Sequence, residues 1–294
     1  MKKNSQQIIF LKLILLFLCP MAVLAQDDLM TELESMEADT SADLVTATFK
    51  GSRLINGHSV EMRSGGVLEF LISHRFGRLN EGAYNLFGLD DSNIRLGLEY
   101  GISDRLNIGV GRSSFLKMYD GFLKYKLLHQ QTGKKNVPLS LVAFTNLTIN
   151  TLRSVDGEDV KFSRRLQYTY QLLIARKFSS NFSLQLMPTL VHRNIVIAAQ
   201  DDNNLWAIGA GGRYKLSGSV ALNLEYYYQL NPDAGNPYNA LAIGFDIETG
   251  GHVFQLHLTN ARAMVEPVFV GATTGNFWDG DIHFGFNISR VFDL

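Results

Sequence analysis

The sequence predicts an all-β protein, an antiparallel transmembrane β-barrel of about twelve strands, with fourteen as the alternative count. Three observations predict this fold. Two-faced segments of about ten residues recur between positions 66 and 294. The breaks between them alternate between short turns and long loops, and a signal peptide precedes them. Barrels of the bacterial outer membrane have this pattern, with turns in the periplasm and loops outside.

Residues 1–25 have the features of a cleaved signal peptide. Lys2 and Lys3 precede the apolar run from Ile8 to Leu18, and a small residue, Ala25, ends the segment. The run is shorter than the roughly 20 residues that a membrane-spanning helix needs. Cys19 is the single cysteine, so we expect a mature chain without disulfides or thiolate metal sites. The net charge of −1 gives no reason to expect a nucleic-acid partner.

Most strand segments alternate apolar and polar side chains, while 67–76, 119–128 and 139–149 are less regular and the last is largely apolar on both faces. Neighbouring residues in a strand face opposite sides, so one face is predicted to meet lipid and the other the lumen. Tyrosines near strand ends, such as Tyr226 and Tyr228, favour a membrane barrel over a water-soluble β-sandwich or calyx. Pro188 predicts a bulge or break in its strand. One segment shows the alternation in the order Ile94, Arg95, Leu96, Gly97, Leu98, Glu99 and Tyr100.

The inner face is predicted to carry charges of both signs, interleaved with glycines. Barrels of eight strands are filled by side chains and those of sixteen or more enclose water, so about twelve strands leave two interpretations open. One is an ion-paired, mostly closed lumen, and the other is a narrow polar pore. The residues predicted to face the lumen are Glu69, Arg95, Glu99, Lys124, Lys126, Arg213, Glu225, Asp246, His257 and His283.

The segment before the barrel, residues 66–294, has two predicted parts. Residues 26–50 form an acidic periplasmic segment, either a disordered tail or a short amphipathic helix that docks on a partner. Residues 51–65 form a hairpin around Asn56 and Gly57, a pair typical of tight turns between strands. The sequence leaves three positions open for this hairpin: two further strands, a periplasmic ribbon, or a plug in the lumen.

The side-chain types form no catalytic constellation. Ser73 and His74 are neighbours in a strand and face opposite sides, so they make no nucleophile and base pair. His257 and His283 have inward parity on adjacent strands, where a metal site is conceivable. A structural or pore-lining role is favoured for both. We therefore predict no catalytic residue, no cofactor and no metal.

Three functional hypotheses follow. The first is a narrow channel for small polar or charged solutes. The alternative is a closed structural or docking barrel that acts through its outer loops or its periplasmic segment. An outer-membrane hydrolase is disfavoured because a triad is not recognisable. The expected partners are outer-membrane lipid and a periplasmic or surface protein.

Several runs of the sequence resemble a known family. They are GVLEFLISHRFGRLNEGAYNLFGLDDSNIRLGLEYGISDRLNIGVGRS from Gly66, AIGFDIETGGHVFQLHLTN from Ala242 and GDIHFGFNISRVF from Gly280. The chain is similar to an uncharacterised family of bacterial membrane-bound β-barrels, a domain of unknown function. The resemblance extends from about Arg53 to the C-terminus and implies fold and outer-membrane location. It implies no activity, ligand or site residue.

Overall fold

The computed structural model describes residues 42–133, 135–153, 160–196, 198, 200–233, 235, 238–250 and 252–294. The predicted signal peptide and the first part of the acidic segment lie outside this range. No helix among the described residues has the length and apolar character needed to cross a membrane. The strands are β1 Ala42–Leu44, β2 Val67–Arg78, β3 Ser92–Ser103, β4 Leu106–Ser113, β5 Met118–Leu128, β6 Gln131–Gly133, β7 Ser140–Asn150, β8 Leu166–Lys177, β9 Phe182–Arg193, β10 Asn204–Lys215, β11 Val220–Gln229, β12 Leu241–Thr249, β13 His252–Thr259 and β14 His283–Asp293.

Twelve of these strands close into one antiparallel barrel, which confirms the predicted fold class. Each barrel strand pairs with the next along the chain, with β5 beside β7. The last strand, β14, pairs with the first, β2, from Asp293 opposite Val67 to His283 opposite Arg78. Closure leaves no barrel strand with an unpaired edge, which a strand in hydrocarbon could not tolerate.

The strands β1 and β6 form a separate two-stranded sheet. Ala42 lies opposite Gly133 and Leu44 lies opposite Gln131. Because β6 belongs to the connection between β5 and β7, this small sheet lies at the turn end of the barrel. It ties the start of the described chain to that end.

Burial alternates along the barrel strands with period two. On β3, Arg95 is 1% exposed while the next residue, Leu96, is 43% exposed. The outward positions carry large apolar side chains over much of the circumference, far more than a water-soluble surface usually presents. Pro188 lies outward on β9, and the pairing of β8 with β9 is interrupted between Gln171 and Ile174. The missing N–H of proline explains this break.

The inner surface has two unlike halves. The inward side chains of β11–β14 and β2–β4, here called the polar wall, include most of the buried charges. The inward side chains of β7–β10, here called the apolar wall, include a cluster of apolar residues among hydroxyl and amide side chains, and their arginines lie near strand ends. The strand β5 lies between the two halves and carries both kinds of residue. Typical apolar-wall residues are Val142, Phe144, Leu173, Ala175, Met187, Val191, Leu205 and Ala207.

The helical elements are short and lie in the connections. The helix α1, Glu266–Gly271, is part of the long connection between β13 and β14 and is buried along its whole length. Pro267 lies in its first turn, where the missing N–H of proline costs nothing. The connection therefore folds back into the barrel. Turns of 3-10 helix span Leu79–Glu81, Ala83–Gly88, Phe115–Lys117, Phe162–Arg165 and Phe277–Asp279.

Candidate functional site: the occupied lumen

The predicted hairpin lies inside the barrel, one of the three positions that the sequence left open. Residues from Gly51 to Val60 are all buried. Arg53 bridges His58 in antiparallel fashion, and the Leu54 N–H donates to the Gly57 carbonyl at 2.9 Å. The turn is therefore centred on Ile55 and Asn56, one residue earlier than the Asn56-Gly57 signal indicates.

The carboxylate of Glu225, on the polar wall, binds the turn. It accepts the backbone N–H groups of Ile55 at 3.0 Å, Asn56 at 3.1 Å and Gly57 at 3.1 Å. Successive N–H groups that converge in this way form a concave anion site. Bonds to an ionised acceptor are stronger than neutral ones, so this contact outweighs the local preference of Asn-Gly for a turn of its own.

Other wall side chains bind the hairpin backbone on both edges. Gln185 accepts the Val60 N–H at 2.9 Å and donates to the His58 carbonyl at 2.8 Å. Gln255 donates to the Leu54 carbonyl at 2.9 Å, and Asn287 donates to the Ile55 carbonyl at 3.0 Å. Hydrogen bonds from strands on different sides of the barrel thus fix the hairpin across the lumen.

The helix α1 closes the lumen from the loop end. Glu266 is fully buried and pairs with Arg53 of the hairpin at 2.9 Å. Its second carboxylate oxygen accepts from Asn146 of β7 at 3.1 Å. Phe269 packs edge-on against Tyr227, with ring centroids 5.2 Å apart. The hairpin and this helix together fill the middle of the barrel.

The residues predicted to face the lumen all lie at inward positions. Nine are buried, and Lys126, nearer the turn end, is partly exposed. Lys124 pairs with Glu99 at 3.3 Å and also donates to the Glu61 carbonyl of the hairpin segment at 3.0 Å. Arg213 donates to the Ala47 carbonyl at 3.0 Å, below the hairpin. Lys124 and Arg213 therefore bind the inserted segment, whereas Asp246 accepts from Gln255 of the neighbouring strand at 2.8 Å.

The two lumenal histidines lie two positions apart on adjacent strands. His257 lies opposite Gly285, and His283 lies opposite Thr259. The Nδ1 atom of His283 contacts the Phe76 carbonyl at 2.8 Å. Within the described residues, no three or more His, Cys, Asp or Glu side chains are grouped to hold a metal ion.

Four lumenal residues that make contacts in the structure were not among the ten predicted to face the lumen. Arg75 donates to the Asn56 side chain at 3.0 Å, and Asp120 pairs with Arg95. Strand parity could have found both, as it could Gln185. Glu266 gave no such signal, because it lies in the connection between β13 and β14, where strand parity does not apply.

A cavity of about 540 Å³ lies at the loop end, above the occupied lumen. Arg78 pairs there with Asp281 at 3.2 Å, and Asn80 donates to Asp281 at 2.8 Å. The hydrogen bond from Asn80 and the backbone N–H of Asn276 hold the pKa of Asp281 below its usual value. Arg262 pairs with Asp91 at the same rim.

One family matches most of the chain. The membrane-bound beta barrel domain family, DUF5777, matches residues 49–292. The chain belongs to this family. The match confirms the resemblance and shows that the protein is a membrane-bound β-barrel, while the family description assigns it no activity. No curated protein matches the sequence.

Several solved porin structures are similar to the chain at low identity. The NanC porin in a rhombohedral crystal form is 9% identical over 77% of this chain and 100% of its own, with a TM-score of 0.48. The KdgM porin is 9% identical over 77% of this chain and 99% of its own, with a TM-score of 0.45. A mutant of the Rh. blastica porin is 13% identical over 68% of this chain and 55% of its own, with a TM-score of 0.32. At these values they bear on neither solute nor mechanism.

Proposed function

We propose that this membrane-bound barrel is an outer-membrane channel for small polar or charged solutes, closed at rest by its own hairpin, residues 51–65, together with α1. The observation that carries the proposal is the position of the hairpin in the lumen, bound by polar side chains of the wall. Its function is transport and not catalysis. The closed antiparallel barrel and the alternation of turns and long loops support the outer membrane as its location.

The chemistry of the wall beneath the hairpin supports a lumen that opens. A permanently filled interior gains little from buried charges, since apolar residues of equal volume stabilise it as well or better. The polar wall instead presents groups such as Glu225, Gln255 and Asn287, which water can solvate when the hairpin leaves. A polar surface of this kind is what a water-filled pore requires.

The hairpin enters from the turn end, which is the periplasmic end in the usual orientation. The segment that leads to it is bound near that end, where His129 contacts the Val45 carbonyl at 2.9 Å and Lys177 donates to the Thr46 carbonyl at 2.8 Å. Past the hairpin, the Gly66 N–H donates to the Gly101 carbonyl at 2.9 Å, near the start of β2. Withdrawal toward the periplasm would also remove Arg53 from Glu266 of α1. The pore opens when the hairpin and α1 have both left the lumen, and the barrel strands stay paired.

The channel is tested with the full chain and a substitution at the hairpin tip. A Cβ atom at Gly57 would lie 2.1 Å from the Tyr227 hydroxyl, so Gly57→Leu is expected to expel the tip while every wall residue stays intact. Discrete conductance steps in planar bilayers are the expected result. Gly51→Ala is the matched control, because a Cβ there would meet its nearest atoms at 3.7 Å, an ordinary contact.

The outcome also separates the two classes of function. Heat-modifiable migration on gels first shows that each variant forms a barrel, and protease cleavage within residues 51–62 shows that the tip is released. Adding Glu266→Ala to Gly57→Leu removes the contacts of α1 to Arg53 and Asn146. A folded, cleavable barrel that carries no current even with both substitutions would contradict the channel. That result would favour the closed docking barrel.

A further inference from the structure

We infer that the lumen is a binding site for short peptides, which occupy the place of the hairpin when the channel opens. This inference rests on the proposed channel and names its solute class. The occupant in the structure is itself a peptide segment. The wall recognises it mainly through backbone N–H and C=O groups, which peptides share regardless of sequence.

The Glu225 carboxylate is the first recognition element. Its three partners are consecutive backbone N–H groups, at 3.0 to 3.1 Å, and none is a side chain. Every residue except proline carries such a donor. A buried carboxylate aimed at a peptide turn would bind the turn of another chain in the same way.

The side-chain amides of the wall bind the backbone carbonyl groups, which the Glu225 carboxylate cannot bind. Gln185 binds the N–H of Val60 and the carbonyl of His58, which are two residues apart on one strand. This two-point pattern imitates the bonding of a neighbouring β-strand. Gln255 and Asn287 donate to further carbonyls from the polar wall. Main-chain bonding of this kind provides affinity in peptide recognition, and side-chain pockets add selectivity.

The side chains of the hairpin make further contacts that another peptide would not make. These contacts favour the chain's own hairpin in the lumen. Arg53 binds Glu266, which belongs to the inserted loop and not to the barrel wall. Leu54 lies beside Gly211 of β10, where an added Cβ would approach its Cδ1 atom to 2.6 Å. That space beside the apolar wall would accept an apolar side chain of a bound peptide. The wall also binds the Asn56 side chain through Arg75 and packs Phe122 and Phe144 on the His58 ring. It therefore combines backbone recognition with a few side-chain contacts.

The test compares two short peptides that differ in the substituent on the backbone nitrogen. Pentaglycine carries backbone N–H groups, whereas pentasarcosine has a methyl group in place of each amide hydrogen of its sarcosine–sarcosine bonds. Both are added to the Gly57→Leu barrel, and block of the current and heat of binding in detergent are measured. Pentaglycine is expected to bind at least tenfold more tightly. Adding Glu225→Ala to the same variant should reduce that ratio to about threefold or less.

The current and the heat of binding test the peptide site and the channel separately. A conducting variant that both probes block equally would overturn the peptide site and leave the channel standing. Preferential binding of pentaglycine to a barrel that stays silent even with Glu266→Ala added would support the peptide site and overturn the channel. Unchanged discrimination after Glu225→Ala would overturn the role assigned to that carboxylate.

Discussion

The polar wall and the apolar wall of the lumen bind the same inserted segments with different proportions of hydrogen bonds and apolar contacts. On the polar wall, Glu225 and Asn287 bind the backbone of the hairpin tip through directed hydrogen bonds. On the apolar wall, Leu173 and Met187 belong to the same buried cluster as Leu54 of the hairpin and Phe269 of α1. Hydrogen bonds can be exchanged for water at small net cost, whereas apolar contacts cannot. The hydrogen bonds, including the two of Gln185 on the apolar wall, therefore suit release, and the apolar cluster suits retention.

The largest effect is expected where a charge loses its partner. Glu266→Ala leaves the guanidinium of Arg53 buried without its carboxylate, which should lower the free energy of unfolding by about 3–5 kcal/mol. Urea unfolding from lipid vesicles measures it. The double variant Arg53→Met/Glu266→Leu should be close to the wild type. A double variant as unstable as the single one would show that the ion pair is not the cause.

The apolar wall is probed by two adjacent leucines that face opposite sides of β8. Leu173 is fully buried in the lumenal cluster, and Leu173→Ala should lower the free energy of unfolding by about 2–5 kcal/mol through the cavity that it leaves. Leu172 faces outward and is 43% exposed, so lipid can fill the space left by Leu172→Ala. The same unfolding experiment compares them. Equal losses would mean that the lumen is not packed as a core.

The smallest effect is expected at the loop-end rim, where Asp281 and Arg78 are both partly exposed. Asp281→Asn should lower the free energy of unfolding by about 0–1 kcal/mol. Because the folded-state pKa of Asp281 is lowered, its contribution is present above the unfolded-state pKa and is lost as the pH falls through the folded value. Unfolding midpoints across the acidic range should converge for wild type and variant. A difference that persists at the lowest pH would contradict this.

The sequence predicted the barrel because strand faces are a local property. Alternation with period two identified β3 and its inward residues Arg95 and Glu99, and parity alone could have added Arg75. The turn of the hairpin was misplaced by one residue because a distant carboxylate, Glu225, determines it. The inward fold of the connection that carries Glu266 likewise depends on contacts with Arg53 and Asn146, far away in sequence.

The small sheet of β1 and β6 has a mechanical consequence. It joins Ala42–Leu44 to Gln131–Gly133 by one short ladder, and the Val45 N–H extends it to the Gln130 carbonyl at 2.9 Å. The chain then runs directly on to the lumenal turn. A load applied upstream of Ala42 is carried by this ladder before any tension reaches Glu225. The ladder and the hairpin are loaded in series. A pull on the N-terminal segment must therefore separate β1 from β6 before it can withdraw the hairpin.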